Sequence, residues 1–309
     1  MLCGSTQSVS PVQQTTDNLD NACCSVALNL YFQEFELYTF KTMLNPLPWT
    51  AFENDEVHFW VHYGLCAFAF LLAVVTFLAQ RKSPAPYGRH EKSSDNWGPM
   101  VHQRIAHTLS DSTPGVILFS LVFFLYGNQR EYQNITFYCL WLCHYIHRGF
   151  IHPWIMKYSN PKTPLGIPLG NVFPNLVYSF INADWIGAAV YDDDYYKDPR
   201  FIIGIVLFVT GFVINRYAVL ALRELRSSSN AGYSIPHGCL FEVISCPNYF
   251  GEVLEWFGWA LGTWSLAGLV WFLFCCATFV PRARHNHLWY KDQFLDYPGK
   301  RKALIPFVY

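Results

Sequence analysis

A chain of 309 residues with 52% hydrophobic, 18% aromatic and only 14% charged side chains falls well short of the roughly one-quarter charged content of soluble domains. The apolar content excludes disorder, and a formal net charge of -1 at pH 7 argues against nucleic acid as a partner. The 10 cysteines include no Cys-x-x-Cys pair, so neither a zinc centre nor a disulfide framework is expected.

Residues 1–57 read as an N-terminal extension. They contain no basic segment followed by an apolar one, so no secretory signal is expected there. Within them, residues 25–44 (SVALNLYFQEFELYTFKTML) read either as an interfacial helix or as a loosely packed extension. Cys3, Cys23 and Cys24 are the cysteines placed where an oxidising lumen could pair them.

A membrane-spanning helix needs about 20 mainly apolar residues. Seven segments meet or approach this, at 58–80, 113–126, 135–152, 165–189, 201–222, 249–262 and 263–280. The second and sixth are short. The last two meet at Gly262-Thr263-Trp264, as one long helix or a tight hairpin.

Basic residues mark alternate connections. Arg81, Lys82, Arg89 and Lys92 follow the first segment, Lys157 and Lys162 the third, and Arg223 and Arg226 the fifth. Arg282, Arg284, Lys291, Lys300, Arg301 and Lys302 follow the seventh. The other connections hold Arg130 with Glu131, and an acidic Asp192-Asp193-Asp194 run with Lys197 and Arg200. The positive-inside rule then predicts an all-α integral membrane protein, a bundle of seven transmembrane helices with a lumenal N-terminus and a cytosolic C-terminus. The sequon Asn134-Ile135-Thr136 abuts a span on the lumenal side, too close to the membrane for modification.

Ionisable groups inside spans are costly and mark function or pairing. His144, Tyr145, His147 and Arg148 lie in the third segment, Asn175, Asn182 and Asp184 in the fourth, and Asn215 and Arg216 in the fifth. Asn248, Glu252 and Glu255 lie in or just before the sixth. Tyr145 and Arg148, three residues apart, share a helix face, and Asn248, Glu252 and Glu255 form one stripe. The pattern predicts a polar pocket that opens to the cytosol and deepens into the bilayer. The bland alternative has Arg148, Arg216 and Arg282 snorkelling to headgroups, with Asp184 and Glu255 as interhelical hydrogen-bond glue. No Gly-x-Gly-x-x-Gly, Gly-Lys-Ser/Thr or Gly-x-Ser-x-Gly motif is present, and His285-Asn286-His287 makes a poor metal site because adjacent helical residues diverge. A cationic, amide-rich mouth with a Tyr and an acid deeper inside suits a phosphate-bearing cofactor and an apolar substrate arriving from the lipid.

The stretches Gly232-Tyr233-Ser234-Ile235-Pro236-His237-Gly238, Asn248-Tyr249-Phe250-Gly251-Glu252, Glu255-Trp256, Thr263-Trp264-Ser265 and the terminal KRKALIPFVY resemble the steroid 5-alpha-reductase family. Cys143-His144-Tyr145-Ile146-His147-Arg148 is similar to the family's third-helix signature, and the resemblance runs from about Pro84 to Tyr309. It implies that residues 58–309 form a seven-helix reductase domain of the endoplasmic reticulum membrane, or of a bacterial inner membrane. The implied reaction is NADPH-dependent reduction of the 4,5 double bond of a 3-oxo-4-ene steroid.

By this resemblance Tyr145 is the phenol and Asp111, where the family carries Glu, the acid that together polarise the carbonyl, with Ser110 and His144 beside the substrate. Arg148, Asn215, Arg226, Tyr233, Asn248, Glu252, Asn286, Tyr290 and Arg301 are the implied NADPH-binding residues, with a looser match at Lys162. Asn286 stands where relatives often have His, and Val219 where they carry Asp. The implied partners are a lipophilic substrate and membrane lipids, with no metal and no nucleic acid. Alternatives within the same superfamily are a trans-2-enoyl thioester or polyprenol reductase. Outside it, they are an isoprenylcysteine-type methyltransferase or a non-catalytic membrane protein.

Overall fold

A computed structural model describes residues 52, 55–84, 97–126, 131–158, 160–228 and 233–309. The segment at 25–44, the three N-terminal cysteines, Arg89, Lys92, Arg130 and Gly232 lie outside the described residues.

Helix α1 is Glu56–Lys82. It starts where the Asp55 side chain accepts from the backbone N–H of His58 at 3.0 Å, and it ends on Arg81 and Lys82, so both ends suit the helix dipole. Helix α2 is built from Gln103–Ser112, a widened π stretch Thr113–Leu118, and Phe119–Phe123. Helix α3 repeats that plan with Tyr132–Ile146, a π stretch His147–Ile151, and His152–Ile155. Helices α4 (Gly166–Ala188), α5 (Pro199–Ser228), α6 (Pro247–Thr263) and α7 (Leu266–Gln293) follow. A short antiparallel ribbon, β1 (Met100–His102) against β2 (Lys162–Pro164), ties the start of α2 to the start of α4.

Each expected span coincides with a helix. Three of them, Glu56–Lys82, Pro199–Arg226 and Leu266–Gln293, are long and apolar enough to cross a membrane. The outer faces of the first two expose Trp60, Leu71, Val75, Val206 and Val213, as a lipid-facing bundle requires. The second segment is longer than its hydropathy indicates, because α2 begins at Gln103 with polar residues turned inward. The junction of the last two is a hairpin. Trp264 adopts the left-handed conformation (φ 45°, ψ 44°), and Ser265 caps α7 by accepting from Gly268 N–H at 2.9 Å.

The interior is aromatic. Trp141 stacks on Tyr145 at 4.9 Å, and Trp256 packs at 5.4 Å from Trp141 and 5.2 Å from Trp271. The buried indoles of Trp141 and Trp259 are hydrogen-bonded, whereas those of Trp256 and Trp271 are not. Trp141 Nε1 donates to the Gly115 carbonyl at 3.0 Å, and Trp259 Nε1 to Asn182 Oδ1 at 2.8 Å. Helices α5 and α6 touch backbone to backbone. A Cβ on Gly211 would lie 2.3 Å from Glu255 N, and one on Gly251 would lie 2.5 Å from Asn215 N. That closeness carries Asn215 of α5 to the polar stripe of α6.

Asp184 does act as interhelical glue. It accepts from His58 Nε2 (2.9 Å), His62 Nδ1 (2.6 Å) and the Tyr126 hydroxyl, joining α1 and α4 to the residues just after α2. The sequon asparagine is closed to modification by packing: Asn134 is fully buried and donates to the carbonyls of Ile186 (2.6 Å) and Ala189 (2.9 Å).

Candidate active site

At the end of the bundle away from Asp184, a cavity of about 270 Å³ opens among α2, α3, α5, α6 and α7. Its walls follow helical periodicity. Gln103, His107 and Asp111 line it from α2, and Arg282, Asn286 and Tyr290 from α7, each series spaced by four. Arg148 and His152 enter from α3, Leu222 and Arg226 from α5, and Asn248 and Tyr249 from α6. Arg282 therefore does not snorkel. It is buried, and its Nε donates to the Tyr249 hydroxyl at 3.1 Å.

A charged bridge crosses the cavity wall. Arg148 Nη1 donates to Glu252 Oε1 at 3.1 Å, and its Nε lies 3.6 Å from Asp111 Oδ1. Asn215 Nδ2 holds the other oxygen of Glu252 at 3.1 Å and the Asn248 carbonyl at 2.7 Å. One guanidinium thus links carboxyl groups from α2 and α6. The π stretches bring this bridge together, since widened turns re-aim the side chains beside them. Thr113–Leu118 starts two residues after Asp111, and Arg148 lies within His147–Ile151.

Behind the cavity wall, the Tyr145 hydroxyl donates to Asn175 Oδ1 at 2.9 Å, and Asn171 Nδ2 donates to Asp111 Oδ1 at 2.9 Å. His144, one residue away on α3, pairs with Glu255 at 2.7 Å and packs on Trp256, which completes the inward stripe of α6. Tyr158 also lines the cavity, and burial pushes its phenol up to about 12.

Of the residues singled out from the sequence, Asp111, Arg148, Arg226, Asn248, Asn286 and Tyr290 line the cavity. Asn215 and Glu252 stand behind it as partners of that lining, Tyr145 is buried with its hydroxyl on Asn175, and Ser110 is buried beside Asp111. His144 sits deeper, on Glu255. Tyr233 is exposed and packs edge-on against Trp289, and Lys162 lies exposed in β2.

Arg301 serves the chain's own tail. It is 2% exposed, donates to the Pro236 carbonyl at 2.9 Å, and reaches Glu242 at 3.5 Å. The Glu242 carboxyl is held below the usual carboxylate range, first by the Gly238 N–H and then by Arg301 and His237. The tail also pairs with the segment leading into α6, with Ser245 N donating to the Lys302 carbonyl at 2.8 Å. That pairing sets Ser245 and Cys246 in the cavity floor.

His107, Arg282 and Cys246 were not singled out as site residues. The four-residue ladders they belong to, or lie beside, were the available signal for the first two; Cys246 is set by a loop and gave none.

Fold and cavity together define an α-helical membrane protein with a charged chamber between its helices. Comparison with known proteins narrows this. The 3-oxo-5-alpha-steroid 4-dehydrogenase family matches residues 162–309. Steroid 5-alpha-reductase DET2 of Gossypium hirsutum is 37% identical over 268 residues, covering 83% of this chain and 99% of its own. The DET2 protein of Arabidopsis thaliana is 40% identical over 237 residues, 73% of this chain and 88% of its own. The 3-oxo-5-alpha-steroid 4-dehydrogenase 1 of Homo sapiens is 34% identical over 254 residues, 79% of this chain and 95% of its own. The chain belongs to the 3-oxo-5-alpha-steroid 4-dehydrogenase family, oxidoreductases acting on CH–CH bonds.

Proposed function

We propose that this protein is an NADPH-dependent steroid 5-alpha-reductase that saturates the 4,5 double bond of a 3-oxo-4-ene steroid. The observation that carries the reading is the Asp111–Arg148–Glu252 bridge at the wall of the polar cavity.

The donor set fits NADPH. Arg148, Arg226 and Arg282 offer guanidinium groups for phosphates, and Asn248 and Asn286 offer amides. Arg226 and Arg282 would hold phosphate, and Asn248 with Glu252 the nicotinamide end. When bound, NADPH supplies the hydride that is added to the β-carbon of the enone. As charge builds on the carbonyl oxygen, the Tyr145 hydroxyl and the Asp111 carboxyl donate to it and stabilise the enolate. A solvent proton then completes the α-carbon. In the resting protein the Tyr145 proton points to Asn175, so the steroid carbonyl has to take Asn175's place as acceptor.

Orientation supports the same reading. Arg81, Lys82, Lys157, Lys162, Arg223, Arg226 and Arg284 gather at the cavity end, with Asp192, Asp193 and Asp194 at the other. With seven spans, the cavity faces the cytosolic NADPH pool, and the enzyme resides in the endoplasmic reticulum membrane or a bacterial inner membrane.

The test is turnover of progesterone by detergent-purified protein with NADPH, followed by mass. A product heavier by two hydrogens, lost in Tyr145→Phe and Asp111→Asn, is expected. NADPH binding without steroid turnover, but with reduction of an enoyl thioester, would move the substrate class. Absence of both binding and turnover would defeat the proposal.

A further inference from the structure

Helix α4 sends two asparagines, one turn apart, to the two groups assigned to the carbonyl. The polarity of each amide is fixed by a separate contact. Asn175 Nδ2 donates to the Asn171 carbonyl at 3.0 Å, so its oxygen must be the atom facing Tyr145. Ser110 Oγ spends its hydrogen on the His107 carbonyl at 3.2 Å and can only accept from Asn171, at 3.2 Å. The amide atom that meets both Ser110 Oγ and Asp111 Oδ1 is therefore the Asn171 nitrogen.

The consequence falls on Asp111, which is 4% exposed. Asn171 Nδ2 at 2.9 Å and Arg148 Nε at 3.6 Å both approach the same oxygen, Oδ1. A protonated carboxyl has one oxygen that only accepts and one that carries the hydrogen. Donors gathered on Oδ1 make it the accepting oxygen and leave the hydrogen to Oδ2. We propose that Asn171 is a positioning residue for the reaction: it locks the Asp111 carboxyl against rotation so that Oδ2 presents the acid proton to the substrate carbonyl. This rests on the reading of Asp111 as the acid.

The test pairs a spectroscopic readout with a kinetic one. The infrared difference spectrum of wild type minus Asp111→Asn contains the protonated Asp111 carbonyl stretch. A hydrogen bond to that oxygen lowers the stretch. Asn171→Leu keeps the volume and removes the donor, and should raise the frequency. Asn171→Ala should raise it too and serves if the leucine variant does not fold. In the same variants kcat should fall by about tenfold or more, because a misaimed acid loses transition-state stabilisation. KM for the steroid and affinity for NADPH should stay close to wild type. An unshifted band, or a rise in KM with kcat unchanged, would overturn the positioning role. A wild-type protein that turns over no steroid, but whose Asp111 band still moves in Asn171→Leu, would defeat the functional reading and leave the lock standing. Normal steroid turnover with an unmoved band would do the reverse.

Discussion

The ring of Tyr145 fills the space that a side chain on Gly115 would need: a Cβ there would lie 1.9 Å from Cδ1 of Tyr145. The Gly115 carbonyl also accepts from Trp141 Nε1 at 3.0 Å, and Trp141 stacks on the same ring, so the π stretch of α2 grips the phenol from two sides. Gly115→Ala should displace the Tyr145 hydroxyl. Overpacking of this kind costs about 1–3 kcal/mol of stability, and a shift of an ångström at a reacting group costs roughly 10²-fold in rate. Steroid turnover should fall far more than the melting temperature does. A variant with wild-type kcat would show that the ring has room to move.

Arg148 reaches two carboxyl groups at once, Glu252 at 3.1 Å and Asp111 at 3.6 Å. Lysine has no planar fork with which to span them. Arg148→Lys should therefore lose about tenfold or more in kcat/KM despite keeping its charge. Glu252→Gln, which removes one arm of the bridge, should abolish NADPH-dependent turnover. Titration of NADPH by tryptophan quenching, alongside steady-state rates, separates lost binding from lost chemistry. Full activity in Glu252→Gln would remove the bridge from the mechanism.

The apolar faces of α1, α5 and α7 were legible in the sequence because hydropathy reports directly on contact with lipid. The same measure undercounts α2, whose first turns place Gln103, His107 and Asp111 on the cavity rather than on lipid. Tyr145 and Arg148 were legible as one helix face, although a π turn separates their roles, one behind the cavity wall and one on it. Asn171 carried no signal. An asparagine near a helix start looks like a polar end, and only the fold sets it against Asp111. Arg301, in the terminal motif, is held by loop contacts that no periodicity encodes.

Arg301 distinguishes a structural tail from a cofactor contact. Its guanidinium is buried on the Pro236 carbonyl and over the Tyr297 ring at 5.3 Å. Arg301→Ala should lower stability by about 2 kcal/mol, the scale of a lost hydrogen bond to a charged group, with little change in NADPH affinity once the protein is folded. Thermal melts and NADPH titrations on the same sample test this. A large loss of NADPH affinity with an unchanged melt would return Arg301 to the cofactor site implied by the family resemblance.

The Glu242 contacts give that tail a pH dependence of known sign. Its carboxyl is held below the ordinary range by the Gly238 N–H, by Arg301 and by His237, so the folded form favours the ionised state. The stabilisation is fully present above the ordinary glutamate range and is lost as the pH falls through the depressed folded value. Glu242→Gln removes the titrating group but keeps an acceptor for Gly238. Wild type should be the more resistant to tail proteolysis at neutral pH, and the difference between the two should vanish on acidification. A difference that held constant from neutral to acidic pH would mean that the Glu242 charge does not hold the loop to the tail.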